Sequence, residues 1–165
     1  MYNYDMKLLF RFKHHFFNAF REIFIHHHGS LEFRAKLFAL MIAVNDKIKV
    51  ENFIIVRNYG LKIYKSDEQR ADLLMLTTKE MVNKIEENNG LDIDTLIYNI
   101  QRLLKQIPRY AKKIDIESLK PIMELTYDED TLSYQKNILE FLETLKHETL
   151  KDKKEQIELD EKNLN

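Results

Sequence analysis

Hydrophobic positions are unevenly spread along this chain, and the densest stretch runs from Leu31 to Tyr59. It opens on a mixed turn, Leu31-Glu32-Phe33-Arg34-Ala35-Lys36. It then stays apolar without a break from Leu37 to Val44. After a polar corner, Asn45-Asp46-Lys47, comes a second apolar block, Phe53-Ile54-Ile55-Val56. A segment that is apolar on every side suits a helix surrounded by other helices. It is also far too short to cross a bilayer. The pattern predicts a central helix, a tight corner, and a second helix packed back on the first.

Upstream, Leu9, Phe12, Phe16, Phe20 and Ile23 recur at helical spacings and predict an amphipathic helix from Met6 to Ile25. Phe10, Phe17 and Phe24 widen its apolar face, and Lys7, Arg11, Lys13 and Arg21 make it basic. Such a helix either docks on the core or lies on a partner or an anionic membrane. The surplus aromatic surface favours an interface, protein ahead of membrane, and leaves homodimerisation through this helix open. One short basic face is a weak nucleic-acid signal, so nucleic acid is not an expected partner. His26-His27-His28 diverge on any backbone and read as a solvated linker rather than a metal site. Gly29 is placed to end the first helix and Ser30 to cap the next.

Downstream, Gly60 reads as a helix C-terminus. Ser66-Asp67-Glu68-Gln69, with Ser66 as cap, and Thr77-Thr78-Lys79-Glu80 both fit a capping box. Asp67 to Glu87 is therefore either two helices or one kinked helix, broken at Asn88-Asn89-Gly90. Asp94 is placed to cap a helix carrying Leu96, Ile97, Ile100, Leu103, Leu104 and Ile107, which Pro108 stops. Arg109 to Ile114 admits one helical turn. Pro121 belongs in a first turn, so the next helix is expected from near Ser118. Past the corner Asp128-Glu129-Asp130, a last core helix is expected from about Thr131 to Glu148. Tyr134, Ile138, Phe141, Leu142 and Leu145 should face inward from it. From Lys151 on, the chain is charged and reads as a frayed extension or a disordered tail.

The predicted organisation is an amphipathic helix and histidine-rich linker over 1–29, a helical domain over 30–150, and a charged tail over 151–165. The fold class is all-α, a single-domain bundle of about seven helices. The predicted core contains Leu37, Leu40, Met41, Val44, Ile55, Ile100, Leu104, Ile122, Phe141 and Leu142. Six tyrosines, Tyr59, Tyr64, Tyr98, Tyr110, Tyr127 and Tyr134, read as core-edge residues with wet hydroxyls.

Composition supports helices: only three Gly and two Pro occur, and sheets with tight turns need more of both. The formal net charge of -1 gives no global attraction to nucleic acid. Cysteine is absent, which removes disulfides, thiolate metal sites and cysteine catalysis. There is no secretory cleavage pattern and no apolar run of transmembrane length. A cytoplasmic location, at most peripheral at the inner membrane face, is the expectation. Gly-rich phosphate loops and His-Glu-x-x-His pairs are also missing, so the chain is not expected to be an enzyme.

Two segments share one layout, Leu37 to Tyr59 and Leu119 to Leu145: an apolar helix, a short polar corner, then an amphipathic helix. This layout resembles the TerB-like family, the tellurite-resistance helical domain also found in front of some membrane-anchored J-domain co-chaperones. The likeness covers Leu31 to His147. In that family an Ala-Asp-Gly corner is followed, two helical turns on, by a Glu, and the carboxylates form an acidic, metal-associated face. Phe38 to Ile48 resembles the first corner and Tyr127-Asp128-Glu129-Asp130 the second. Here Asn45 stands for the first Asp, Asn52 for its Glu, and Gln135 for the second Glu, whereas Asp128 matches. The His-Pro-Asp signature of a J domain is absent. Asp46, Glu51, Asp128, Glu129 and Asp130 remain candidates for weak divalent-cation binding, and otherwise serve as helix caps. No other cofactor is expected. The resemblance implies a non-enzymatic interaction or scaffold module in a stress-related or membrane-associated assembly. The alternative is a peripheral membrane protein that acts through its basic N-terminal helix.

Overall fold

The computed structural model describes residues 29–164. The predicted helix over Met6 to Ile25 and its candidate interface residues Lys7, Phe10, Arg11, Lys13, Phe17, Arg21 and Phe24 lie outside them. The described residues form six α-helices and one 3-10 helix, with no strand among them. The elements are α1 (Gly29–Ala43), α2 (Val50–Ile63), α3 (Glu68–Glu86), α4 (Ile93–Gln106), the 3-10 helix (Pro108–Lys113), α5 (Ile116–Met123) and α6 (Glu129–Asn163). No helix among the described residues is long and apolar enough to cross a membrane.

Helix α1 is the axle. Leu31, Phe33, Ala35 and every residue from Lys36 to Ile42 are buried. Helices α3, α4, α5 and the 3-10 helix all pack around it. Its cation Lys36 is buried as well, paired with Glu32 one turn earlier, which keeps the ammonium from being stranded in the core. The stretch Leu31 to Lys36, read from sequence as a mixed turn, is part of this helix. Gly29 and Ser30 belong to it too, so neither acts as the expected stop and cap. Tertiary packing on all sides outweighs the weak local preferences there.

Helix α2 does not lie back along α1 as expected. It packs chiefly on α3 and also on α5, and meets α1 through the Phe38 and Tyr59 rings, 5.2 Å apart. Gly60 explains the choice. It sits inside α2 rather than at its end, and a Cβ there would come within 2.8 Å of the Ala71 Cα. The missing side chain lets the α2 and α3 backbones touch. The helix stops later, where Lys65 takes a left-handed conformation (φ 54°) and the Ser66 N–H donates to the Leu61 carbonyl at 2.8 Å. That bond spans five residues and closes the helix end, a task more often given to glycine.

Two expected caps shift by a residue or two, and a third does not form. Asp67, not Ser66, caps α3 by accepting from the Arg70 N–H, and Asp92, not Asp94, caps α4 by accepting from Thr95. The second capping box does not form. Thr77 and Thr78 lie inside one unbroken α3, where their hydroxyls donate back to the Leu73 and Leu74 carbonyls at 2.7 and 2.8 Å. Both threonines are buried, and this back-bonding satisfies their hydroxyls without ending the helix. Helix α5 starts at Ile116, capped by Asp115, so Pro121 stands in its second turn. The helix then ends two residues later, at Met123, which limits the cost of the lost N–H.

Of the predicted core, Leu37, Leu40, Met41, Ile100, Leu104, Ile122 and Leu142 are buried, whereas Val44, Ile55 and Phe141 are only partly so. Tyr134 faces solvent, not the core, because Gln135 takes the inward position beside it. Helix α6 does not end near Glu148. It continues as one helix to Asn163, through the segment read as a frayed or disordered tail. Loose pairs one turn apart, Lys151–Glu155 at 3.8 Å and Lys154–Glu158 at 3.9 Å, line this exposed part.

Candidate functional site: the joined corners

The loop from α1 to α2 and the loop from α5 to α6 meet on one face. The Thr126 hydroxyl donates to the Asn45 Oδ1 at 2.8 Å, and the Lys49 ammonium donates to the Leu125 carbonyl at 3.2 Å. The same ammonium lies 4.4 Å from the centre of the Tyr127 ring, within cation–π range. Together Asn45, Asp46, Lys47, Lys49, Leu125, Thr126, Tyr127, Asp128 and Thr131 line a shallow hollow of about 520 Å³.

The three amides Asn45, Asn52 and Gln135 all finish helix ends. Asn45 donates through its Nδ2 to the Ile42 carbonyl at 3.2 Å, at the C-terminus of α1. Gln135 reaches in from α6 and donates through its Nε2 to the Met41 carbonyl at 3.0 Å. Asn52 accepts from the Lys49 N–H at 2.9 Å and so serves the N-terminus of α2. Carbonyls in the last turn of a helix lack intrahelical donors. An amide can supply one and a carboxylate cannot. Asn52 and Gln135 are buried, at 1% and 0% exposed. Among the described residues the Asn52 Nδ2 and the Gln135 Oε1 have no partner.

The candidate carboxylates do not converge. Asp46, Glu51, Glu129 and Asp130 are exposed. Asp128 caps α6, accepting from the Thr131 hydroxyl and the Thr131 N–H, both at 2.7 Å. Those two bonds, the hydroxyl first, hold its carboxyl below the ordinary range. No group of three or more His, Asp or Glu residues among those described could hold a metal. A hard cation needs several carboxylate oxygens together. Here the Asn45 and Asn52 oxygens already accept hydrogen bonds and the Asp128 carboxylate is a cap, so the donor set does not suit a resident Ca²⁺ or Mg²⁺.

The two corners are legible in the sequence, but what joins them is not. Lys49, Leu125 and Thr126 carried no signal, because their partners lie some 80 positions away in the chain. By sequence Tyr127 looks no different from the other five core-edge tyrosines. The structure separates them: Tyr110 is buried, Tyr59 and Tyr64 are half-buried, and Tyr98, Tyr127 and Tyr134 are exposed. The Arg34 and Arg70 guanidinium groups each lie 5.9 Å from the centre of the Tyr64 ring, and burial raises its phenol above the usual value.

No family model matches the chain, and no curated protein or solved structure is similar enough to count as a match.

Proposed function

We propose that this chain is a non-catalytic helical interaction module of TerB-like design, with the joined corners as its contact face. One observation carries the reading. Tyr127 is 83% exposed, yet its ring is braced by Lys49 on a loop pair that is hydrogen-bonded together. A large side chain held in water in one orientation loses little freedom when a partner covers it, which is why tyrosine is enriched at interfaces. Val50 and Ile54, exposed one turn apart on the start of α2, add apolar area beside Lys49. The resemblance supplies the expected setting, a stress-related or membrane-associated assembly.

Site-specific photo-cross-linking tests the contact face. A benzoyl-phenylalanine at position 127 should give a discrete protein adduct in cells, weakened by Lys49→Ala. The same probe at Tyr98, on the exposed side of α4, should give none. Equal adducts from both positions would remove the corner as the contact face. The membrane alternative rests on the sequence of residues 1–25 alone. Flotation of the intact chain and of one lacking those residues with anionic liposomes separates the two.

A further inference from the structure

We infer that the hollow between the start of α1 and the 3-10 helix binds a phosphate monoester. This hollow, of about 390 Å³, is lined by Gly29, Ser30, Arg109, Tyr110, Lys112 and Lys113. It shares no lining residue with the joined corners. Side chains three residues apart eclipse in a 3-10 helix, so Arg109 and Lys112 stand on one face, with Lys113 next to them. None of these three cations has an ion pair among the described residues. From Gln101 to Ile114 the chain carries five cations, Arg102, Lys105, Arg109, Lys112 and Lys113, and no carboxylate. The acids that follow are engaged elsewhere: Asp115 caps α5, and Glu117 pairs with Lys120. Helix α6 brings no acid to the end of the 3-10 helix but Lys146, whose ammonium donates to the Ile114 carbonyl at 2.8 Å. Like charges this close repel one another, and a bound anion relieves that repulsion.

Tyr110 shows where the anion sits. It is only 7% exposed, and its ring lies 5.2 Å from the Phe33 ring in the core. Its hydroxyl comes out beside Gly29, where a Cβ would collide with the oxygen. The glycine therefore leaves the hydroxyl room at the edge of the hollow. Buried tyrosine hydroxyls usually have a hydrogen-bond partner. This one has none among the described residues. A phosphate oxygen supplies the missing acceptor. Arg109 offers a planar fork for two further oxygens, and the two lysines add point charges. A phosphate monoester presents three acceptor oxygens and nearly two negative charges at neutral pH, which suits three cations and a hydroxyl better than a carboxylate does. A soluble ester and a lipid headgroup can carry the same group, and the test separates them.

The test has two arms, both on the full chain. One is amide NMR during titration with glycerol 3-phosphate, with acetate at equal ionic strength as the blank. The other is flotation with phosphatidylcholine vesicles that carry phosphatidic acid, a monoester, or phosphatidylserine, a diester. The expected result is saturable shifts at Gly29, Ser30 and the 3-10 helix, or flotation that prefers phosphatidic acid. The first identifies a soluble ester as the ligand and the second a lipid headgroup. Arg109→Ala with Lys112→Ala should abolish the response and, as both residues are exposed, keep the helical circular dichroism. Tyr110→Phe keeps the ring and removes only the hydroxyl, so it should weaken binding at least about fivefold. A loose patch of surface cations would not register that change. Arg102→Ala with Lys105→Ala, outside the hollow, should change binding little. Silence in both arms, equal flotation with phosphatidylserine, or binding unaffected by Tyr110→Phe would overturn the inference. So would binding of an oligonucleotide, whose phosphates are diesters, in place of the monoester.

Discussion

Helix α1 and the far half of α6 are opposite kinds of helix in one molecule. From Lys36 to Ile42, α1 has no solvent face, and four other elements of the fold surround it. Beyond Leu150, α6 is exposed along almost all of its length and is lined by Lys–Glu pairs one turn apart. The first is helical because its neighbours demand it, and its local signals are poor. The second is helical because a nucleus already formed on the domain is extended by good helix formers at little cost. Apolar residues therefore mean different things in the two. In α1 they are structure, and in α6 past Leu150 they are surface.

The largest effect should separate the two helices at once. Leu40→Ala, at a fully buried position, should cost about 2–5 kcal/mol in urea unfolding. A loss within experimental error would show that α1 is not the axle. Gln135→Glu tests the one buried side-chain bond from α6 to the end of α1. Its ionised form would set a carboxylate against the Met41 carbonyl and leave that acceptor without its donor, at about 1–3 kcal/mol near neutral pH. Protonation restores a donor, so the deficit should shrink as pH falls. A deficit that does not change with pH would mean the bond is unimportant.

Gly60→Ala should destabilise by about 1–2 kcal/mol, because the Ala71 backbone cannot give way, even though alanine is the better helix former. A gain in stability would place α2 and α3 further apart. The pH series of Asp128→Asn should show a smaller effect. The folded-state carboxyl of Asp128 is held below its unfolded value, so its capping contribution is full above about pH 4 and fades as pH falls through the folded value. The gap between wild type and variant should therefore close in acid, and a constant gap would contradict the cap. Smallest of all, Ile157→Ala should change monomer stability by less than about 0.5 kcal/mol. A larger loss, measured at a concentration where the chain is monomeric, would mean that the far half of α6 rests on the domain after all.

The sequence by itself determined the helical class, the central position of α1, and the two corners. Each rests on signals within one stretch of chain: the unbroken apolar run Leu37 to Val44, and polar residues between periodic segments. It determined some helix ends, Pro108 after α4 and Asn88-Asn89-Gly90 after α3, but not others. Gly60, Ser66, Asp94 and the Thr77-Thr78 pair all have the right chemistry for a stop or a cap, and each is used otherwise or not at all. Capping is worth about as much as a single surface contact, so packing such as Gly60 against Ala71 decides among neighbouring candidates. Only the tertiary structure could join Asn45 to Thr126, Lys49 to Leu125 and Gln135 to Met41, pairs separated by 81, 76 and 94 positions. No periodicity encodes such pairs, because each exists only after the helices between its members have packed.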